Sequence, residues 1–359
     1  MKRIVIKERI LFLIDENSNE AYENDLKLKQ NIVGFENGFK YEITADFKFD
    51  SRVTFDLTNY STRNFSKNYA LLNSDNSLNY DLDKLGLFSI AHSFNNSLPS
   101  VSSFIDNYQL VSYRSFSKGI NNNDIPVLKN NSFSLSHNYQ GNITRFSTST
   151  SLSYTKSEKI KTQESTITNN FVFSNVAFVN GGDSYRFDFK ILNYFRKLKL
   201  ATKLETQQTY INSPVKVNST EFNTINTLLS KYVFSGTTYL EKPYNFDFTI
   251  TQNRSYTTFN ATKTTNVITK ANAAVNYKFS ETFIAELKSD FYWLDQNYSF
   301  LNTVFNYTPK KSRFSYRMVL NNLFNENEFK ITSLNEFTLN TTSIPLIERY
   351  ALLTVKYRF

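Results

Sequence analysis

The sequence predicts an all-β fold in which one antiparallel, up-and-down sheet runs through the whole chain. Apolar and polar side chains alternate along most of the 359 residues, which is the two-residue period of a strand whose two faces meet different surroundings. Turn-forming sequences separate the alternating runs, among them Asn37-Gly38 and Gly181-Gly182-Asp183. Aromatic residues make up 16% of the chain, which argues against disorder.

The first clear alternation runs from Phe39 to Phe49 and resumes at Val53 beyond Asp50-Ser51, which predicts a hairpin at that point. Two stretches rich in Asn and Ser, 63–83 and 95–131, are predicted to be long loops. About eighteen strands are predicted in all. In chain order they lie near 2–14, 24–36, 39–49, 52–62, 84–94, 132–140, 143–157, 168–179, 184–195, 198–210, 222–238, 243–258, 264–279, 282–296, 299–308, 312–323, 332–342 and 349–359.

Composition excludes several functional classes. The chain has no Cys and only two His, His92 and His137, so it lacks thiolate metal sites and offers little for zinc or imidazole catalysis. The net charge is +9, but Lys and Arg are interspersed with acidic residues as in Lys40, Glu42 and Asp46. This distribution is not the basic stripe of a nucleic-acid-binding protein. We expect no enzyme, no cofactor and no nucleic-acid partner.

No apolar run reaches the length of a membrane-spanning helix, and Lys7, Glu8 and Arg9 interrupt the first apolar stretch, so no signal peptide is recognised. Either the chain is cytosolic or its natural N-terminus is missing. Strands with one apolar and one charged face fit a soluble β-sandwich or a transmembrane β-barrel. Several alternating runs reach the roughly 9–11 residues of a spanning strand, longer than sandwich strands, which favours the barrel.

The last ten residues alternate and end on an aromatic side chain. They resemble the terminal strand of outer-membrane β-barrels, which the barrel-assembly machinery recognises. The resemblance makes Leu353, Val355, Tyr357 and Phe359 candidates for an assembly signal. The alternation predicts that these four side chains face lipid, while Thr354, Lys356 and Arg358 face the lumen.

A second resemblance lies upstream, in Asn321-Asn322-Leu323-Phe324-Asn325. This segment resembles the Asn-Leu-Phe-Asp/Asn element near the end of TonB-dependent receptors, so Asn322, Leu323, Phe324 and Asn325 are the family-motif residues. Residues 119–132 are similar, in a degraded form, to a Gly-Asn-Pro stretch that opens a mid-barrel strand in the same family.

These resemblances imply that residues 1–359 are an outer-membrane barrel domain, the C-terminal part of a TonB-dependent receptor-like barrel. Such receptors take up a scarce nutrient, such as a metal chelate, glycan or peptide, and a TonB-type protein energises them through a plug domain. No signal peptide, TonB-box peptide or plug is recognised, and the strand count is below the family's. We therefore expect a barrel portion that does not perform energised transport alone, with outer-membrane lipid and the assembly machinery as its partners.

Two alternatives remain open, a smaller autonomous outer-membrane channel and a membrane-embedded hydrolase. The hydrolase would use His92 or His137, each of which has a neighbouring serine in the sequence. Asp46, Asp50 and Asp56 are weaker candidates for a Ca²⁺ site, because they lie along alternating strands rather than in a metal-binding loop. Tyr108, Tyr113 and Phe116 in the second predicted loop are positional candidates for ligand contact, and the ligand itself is unknown.

Overall fold

The computed structural model describes residues 2–10, 24–61, 66–104, 107–112, 114–120, 125–141, 145–294, 296–334 and 339–359. These residues form long β-strands, one short 3-10 helix at Val101–Phe104 and connecting turns. Among them, no helix is long and apolar enough to cross a membrane.

The strands, numbered in chain order, are β1 (Lys2–Ile10), β2 (Asn24–Glu42), β3 (Phe47–Ser61), β4 (Ser66–Asp81), β5 (Leu87–Ser97), β6 (Gln109–Ser112), β7 (Ser115–Lys118), β8 (Leu128–Gly141), β9 (Phe146–Ser157), β10 (Lys159–Ile167), β11 (Val172–Asn180), β12 (Asp183–Phe195), β13 (Leu200–Val217), β14 (Asn223–Thr238), β15 (Tyr244–Phe259), β16 (Thr262–Lys278), β17 (Phe283–Trp293), β18 (Asn297–Tyr307), β19 (Phe314–Asn321), β20 (Glu328–Leu334), β21 (Leu339–Pro345) and β22 (Tyr350–Tyr357).

One sheet of 20 strands dominates the described residues. Four of the 20, namely β6, β7, β10 and β11, form a side group that joins the rest through a short parallel pairing of β10 with β13. The other 16 pair antiparallel as an up-and-down meander, which we call the wall. The wall order is β1, β2, β3, β4, β5, β8, β9, β12, β13, β14, β15, β16, β17, β18, β19 and β22. The predicted all-β, antiparallel, up-and-down fold class is confirmed.

The connections between wall strands differ at the two ends of the sheet. At one end, which we call the short-turn end, consecutive wall strands are joined by segments of four to six residues, namely 43–46, 82–86, 142–145, 196–199, 239–243, 279–282 and 308–313. The three longest connections among the described strands, 98–127, 158–182 and 322–349, all lie at the opposite end. That end also has short connections, such as 218–222 and 260–261, so what distinguishes the two ends is that the long loops lie on one side alone, as is typical of outer-membrane barrels.

The predicted hairpin near Asp50-Ser51 and the predicted turn at Asn37-Gly38 are wrong. β2 continues through Asn37 and Gly38, which lie opposite Val53 and Arg52 of β3. The chain reverses at 43–46, where the Thr44 hydroxyl accepts a hydrogen bond from the Phe47 N–H at 3.1 Å.

Two further predictions also need correction. The predicted loop 63–83 is largely strand β4, which pairs with β3 from Ser66 to Tyr80 and with β5 from Ser74 to Asp81. The predicted strand 332–342 is instead part of a separate hairpin, β20–β21, and the wall passes directly from β19 to β22. The stretch predicted as loop 95–131 contains the end of β5, the short hairpin β6–β7 and the start of β8.

Candidate functional site: the two faces of the sheet

One face of the wall is apolar in every strand from β2 to β22. The register places Phe35 opposite Phe55 in the first of these pairs and Phe314 opposite Tyr357 in the last. One member from each strand, in wall order, is Phe35, Phe55, Leu78, Ile90, Leu135, Leu152, Phe187, Leu204, Phe234, Phe248, Val275, Leu287, Phe305, Tyr316 and Val355. Most of these side chains are exposed. An apolar band of this width far exceeds the few hundred Å² of a typical monomer's largest apolar patch, so it matches lipid rather than water.

The opposite face carries charges and amides in the middle of the strands. Arg186 Nε lies 2.7 Å from Asp188 Oδ2, and Lys288 Nζ lies 2.9 Å from Glu286 Oε1. These pairs are partly exposed, so solvent screens them and each contributes little to stability. They show instead that this face, which we call the polar face, is arranged for water.

A segment of the chain covers the polar face near the long-connection end. Phe104 and Ile125 of connection 98–127 pack against Tyr69 and Leu71 of β4, and all four side chains are buried. Tyr69 and Leu71 alternate with Ala70 and Leu72, which lie on the apolar face. The connection therefore folds onto the polar face rather than extending away from the sheet.

The hairpin β20–β21 covers a second part of the polar face. The Phe329 ring contacts Tyr298 and Tyr292, with centroids 4.8 and 5.2 Å apart. The Lys330 N–H donates to the Tyr298 hydroxyl at 2.9 Å, and Tyr298 is buried. Two separate connections thus dock on the face that a barrel would turn toward its lumen.

The family-motif segment forms the base of the connection that carries β20–β21. Asn322 is buried; its side-chain amide donates to the carbonyl oxygens of Glu326 and Ile347 at 2.6 and 3.0 Å, and its side-chain oxygen accepts from the Glu326 N–H. Asn325 accepts from the Arg349 N–H at 3.0 Å. Both asparagines have a positive φ, 53° and 61°, which Asn tolerates better than most residues.

The other two residues of this segment behave differently. The Leu323 N–H donates to the Leu301 carbonyl oxygen of β18 at 2.9 Å, and the Phe324 side chain is exposed. In the described chain, the segment is a clasp that joins the two arms of one connection to the wall.

The terminal strand β22 pairs only with β19 among the described strands. Its register puts Leu353, Val355 and Tyr357 opposite Met318, Tyr316 and Phe314, on the apolar face. Phe359 follows the strand, and its ring contacts Tyr357 edge-on at 5.2 Å. The chain therefore ends at the short-turn end of the wall with an aromatic pair, and the assembly-signal role of these residues stays a prediction.

The two histidines are not assembled into a hydrolase site in the described residues. His92 and His137 both lie on the apolar face, next to Phe133 and Phe88. Their Nε2 atoms lie 2.6 Å from Asn131 Oδ1 and 2.7 Å from the Leu85 carbonyl oxygen. Neither partner is a serine or a carboxylate, which a catalytic triad requires.

The three candidate Ca²⁺ carboxylates are not brought together. Asp50 pairs with Lys40 at 3.6 Å and accepts from the Asn79 amide, while Asp46 lies in the turn 43–46. Asp56 lies opposite Gly34 in β2. The described part of the chain has no group of three or more His, Cys, Asp or Glu residues placed to hold a metal ion.

Two of the three aromatic ligand candidates belong to one ring cluster at the long-connection end. Phe116 stacks on Phe173 of β11 at 5.2 Å, and Tyr108 meets the same ring edge-on at 5.5 Å. Lys118 Nζ lies 5.8 Å from the Tyr108 ring centroid. Tyr113 lies outside the described residues.

Sequence reasoning missed the contacts that dock the two connections. Tyr69 and Leu71 were hidden in a predicted loop, and Phe329 lay outside every predicted strand. A usable signal was the run Tyr69-Ala70-Leu71-Leu72, in which both faces of a strand are apolar. Such a run indicates that something also covers the face turned away from lipid.

Comparison with known proteins finds similar solved structures but no matching family model or curated protein. The chain is similar to the siderophore receptor PirA from Pseudomonas aeruginosa, with 8% identity over 92% of this chain and 70% of that one, and a TM-score of 0.30. It is also similar to a mutant of the ferric enterobactin receptor PfeA from the same organism, with 7% identity over 94% of this chain and 71% of that one, and a TM-score of 0.30. A third similar structure is the toluene transporter TodX from Pseudomonas putida, with 8% identity over 90% of this chain and 87% of that one, and a TM-score of 0.24.

Proposed function

We propose that this chain is the barrel wall of an outer-membrane receptor or transporter for a scarce nutrient such as a metal chelate, glycan or peptide. The observation that carries the proposal is the separation of the wall into one apolar and one polar face from β2 to β22. Such a sheet is stable only where lipid meets one face and water meets the other. A water-lined face bounded by lipid is a route for polar solutes.

The connections on the polar face would narrow that route. Phe104 and Ile125 hold the first connection against β4, and Phe329 holds the second against β17 and β18. Elsewhere the polar face stays open in places, for example at a cavity of about 560 Å³ lined in part by Lys40, Asp50 and Arg52. Charges of both signs beside amides suit a polar ligand that forms many hydrogen bonds.

The proposed partners are outer-membrane lipid along the apolar face and the barrel-assembly machinery at the terminal strand. A TonB-type energising protein would act through a plug domain, for which we assign no residues in this chain. The route through residues 1–359 alone is then passive. It is gated by the docked connections and not by a proton gradient.

The experiment is solute uptake by cells that produce residues 1–359 as their only copy of this protein. We expect uptake that a protonophore does not change, and a faster rate in the double variant Phe104→Ala with Ile125→Ala. Phe94→Ala is the matched control, since Phe94 lies on the apolar face. Uptake that requires the proton gradient would overturn the passive route, and a chain extractable without detergent would overturn the membrane location.

A further inference from the structure

A polar patch interrupts the apolar face on β3, β4 and β5. Ser51, Asn76 and His92 lie directly opposite one another in successive strands, so they form a row of three polar side chains. Phe39 of β2 and Phe133 of β8 continue the same row on either side. The row is therefore a local break in the apolar face and not a change of register.

The patch lies within the apolar band rather than at its rim. Toward the short-turn end, the adjacent row is Tyr41, Phe49, Leu78 and Ile90. Toward the other end, the adjacent row adds Asn37 and Ser74 to the patch, and the following row is again apolar with Phe35, Phe55 and Leu72. Hydrocarbon would therefore surround these polar groups on both sides.

Hydrogen bonding within the chain satisfies only part of the patch. The Ser51 hydroxyl donates to Asn76 Oδ1 at 2.7 Å, and His92 Nε2 lies 2.6 Å from Asn131 Oδ1. The Asn76 amide nitrogen and the side chains of Asn37 and Ser74 have no hydrogen-bond partner among the described residues. In hydrocarbon, such groups are strongly unfavourable unless another polar surface meets them.

We infer that the patch is the contact surface for a second copy of this chain in the membrane, an inference that rests on the proposed membrane location. The patch contains no Asp, Glu, Lys or Arg side chain, and its amides and hydroxyls both donate and accept hydrogen bonds. It therefore complements itself and needs no oppositely charged partner. Two copies inserted in the same direction present it at the same depth, so a two-fold axis along the membrane normal brings the two patches together.

The absence of cysteine from the chain allows a direct test. Ser51→Cys places a single thiol in the patch, and Ala273→Cys places one within the apolar face on β16, in line with Phe248 and Ser289. Each variant is reconstituted in vesicles at a low protein-to-lipid ratio and oxidised. We expect several-fold more covalent dimer from Ser51→Cys than from Ala273→Cys.

A second variant separates contact through the patch from chance collision. Asn76→Leu with His92→Leu, added to Ser51→Cys, removes the polar groups but leaves a lipid-compatible surface, so the chain still folds. We expect its dimer yield to fall to that of Ala273→Cys. Equal cross-linking at positions 51 and 273, or an undiminished dimer in the triple variant, would overturn the inference.

The proposed function has its own readout in the same samples. Heat-modifiable migration and detergent-dependent extraction report on the membrane barrel whatever the dimer yield. If the protein shows both properties of a membrane barrel but does not cross-link at position 51, only the proposed dimer is refuted. A chain that fails the check refutes both.

Discussion

The side-chain amide of Asn322 donates a hydrogen bond to the carbonyl oxygen of Ile347 at 3.0 Å, which ties together two points 25 residues apart in the sequence. The same side chain bonds both the N–H and the C=O of Glu326. One buried asparagine therefore fixes both arms of the connection that carries β20–β21.

Replacing this asparagine should loosen the connection. Asn322→Ala leaves the backbone groups of Glu326 and Ile347 without their side-chain partner and places alanine at a φ of 53°, so we expect a loss of about 2–3 kcal/mol in local stability. Hydrogen exchange in β20 and β21 measures it. Asn260→Ala is the matched control, because Asn260 has a φ of 52° but is exposed in a turn. Equal protection of the hairpin in both variants would contradict the clasp.

Deleting Phe359 should reduce assembly in the outer membrane several-fold, although all strand pairings of the wall can still form. The reason is that Phe359 ends the chain beside Tyr357 and lies outside β22, so its loss removes no strand pairing. The measurement is the heat-modifiable fraction in isolated membranes. Phe279→Ala, which removes another exposed aromatic near the short-turn end, is the control. An unchanged fraction after the deletion would remove the assembly-signal role.

Adjacent alanines on β16 test which face meets lipid. Ala273→Arg places a charge on the apolar face and should cost roughly 2–4 kcal/mol if the site is near the bilayer midplane. Ala274→Arg places the same charge on the polar face opposite Asp247, where we expect little change. Reversible unfolding in lipid vesicles measures both. Equal costs on the two faces would mean that the apolar face does not contact hydrocarbon.

The hairpin β20–β21 should respond to acid through Glu328. Hydrogen bonds from Lys330 and Ser343 hold the pKa of Glu328 below its ordinary value of 4.5. A carboxyl group whose pKa is lowered in the folded state stabilises the fold at pH values above its ordinary pKa. This stabilisation is lost as the pH falls through the lowered pKa. Hydrogen-exchange protection of the hairpin, corrected for intrinsic rates, should therefore be constant near neutrality and decrease in stronger acid. Glu328→Gln should remove this decrease, and a variant that keeps it would assign the effect elsewhere.

The sequence predicts the fold class well because the alternation of apolar and polar side chains reports directly on the different surroundings of a strand's two faces. It does not locate the first turns. The turn 43–46 has an even number of residues, so Tyr41 and Phe47 fall on the same face and the alternation runs through the turn without a change of phase. Asn37-Gly38 looks like a turn, yet its backbone pairs with β3 as ordinary strand.

Strand β4 was missed for a different reason. Its apolar face contains Ser74 and Asn76, and its polar face contains Tyr69 and Leu71. Both departures come from contacts that a single strand does not reveal: a polar patch on one side and a docked connection on the other. The clasp at Asn322 was found only by resemblance, since its hydrogen bonds join segments distant in the sequence.

The uneven connections also set the entropic cost of pairing each pair of wall strands. Joining β5 to β8 across 98–127 confines a chain several times longer than the turn 43–46, which adds about 2 kcal/mol of loop-closure free energy. The two connections that dock on the polar face, 98–127 and 322–349, are among the three longest. The packing of Phe104, Ile125 and Phe329 against the wall therefore offsets part of this penalty at the pairings where it is large.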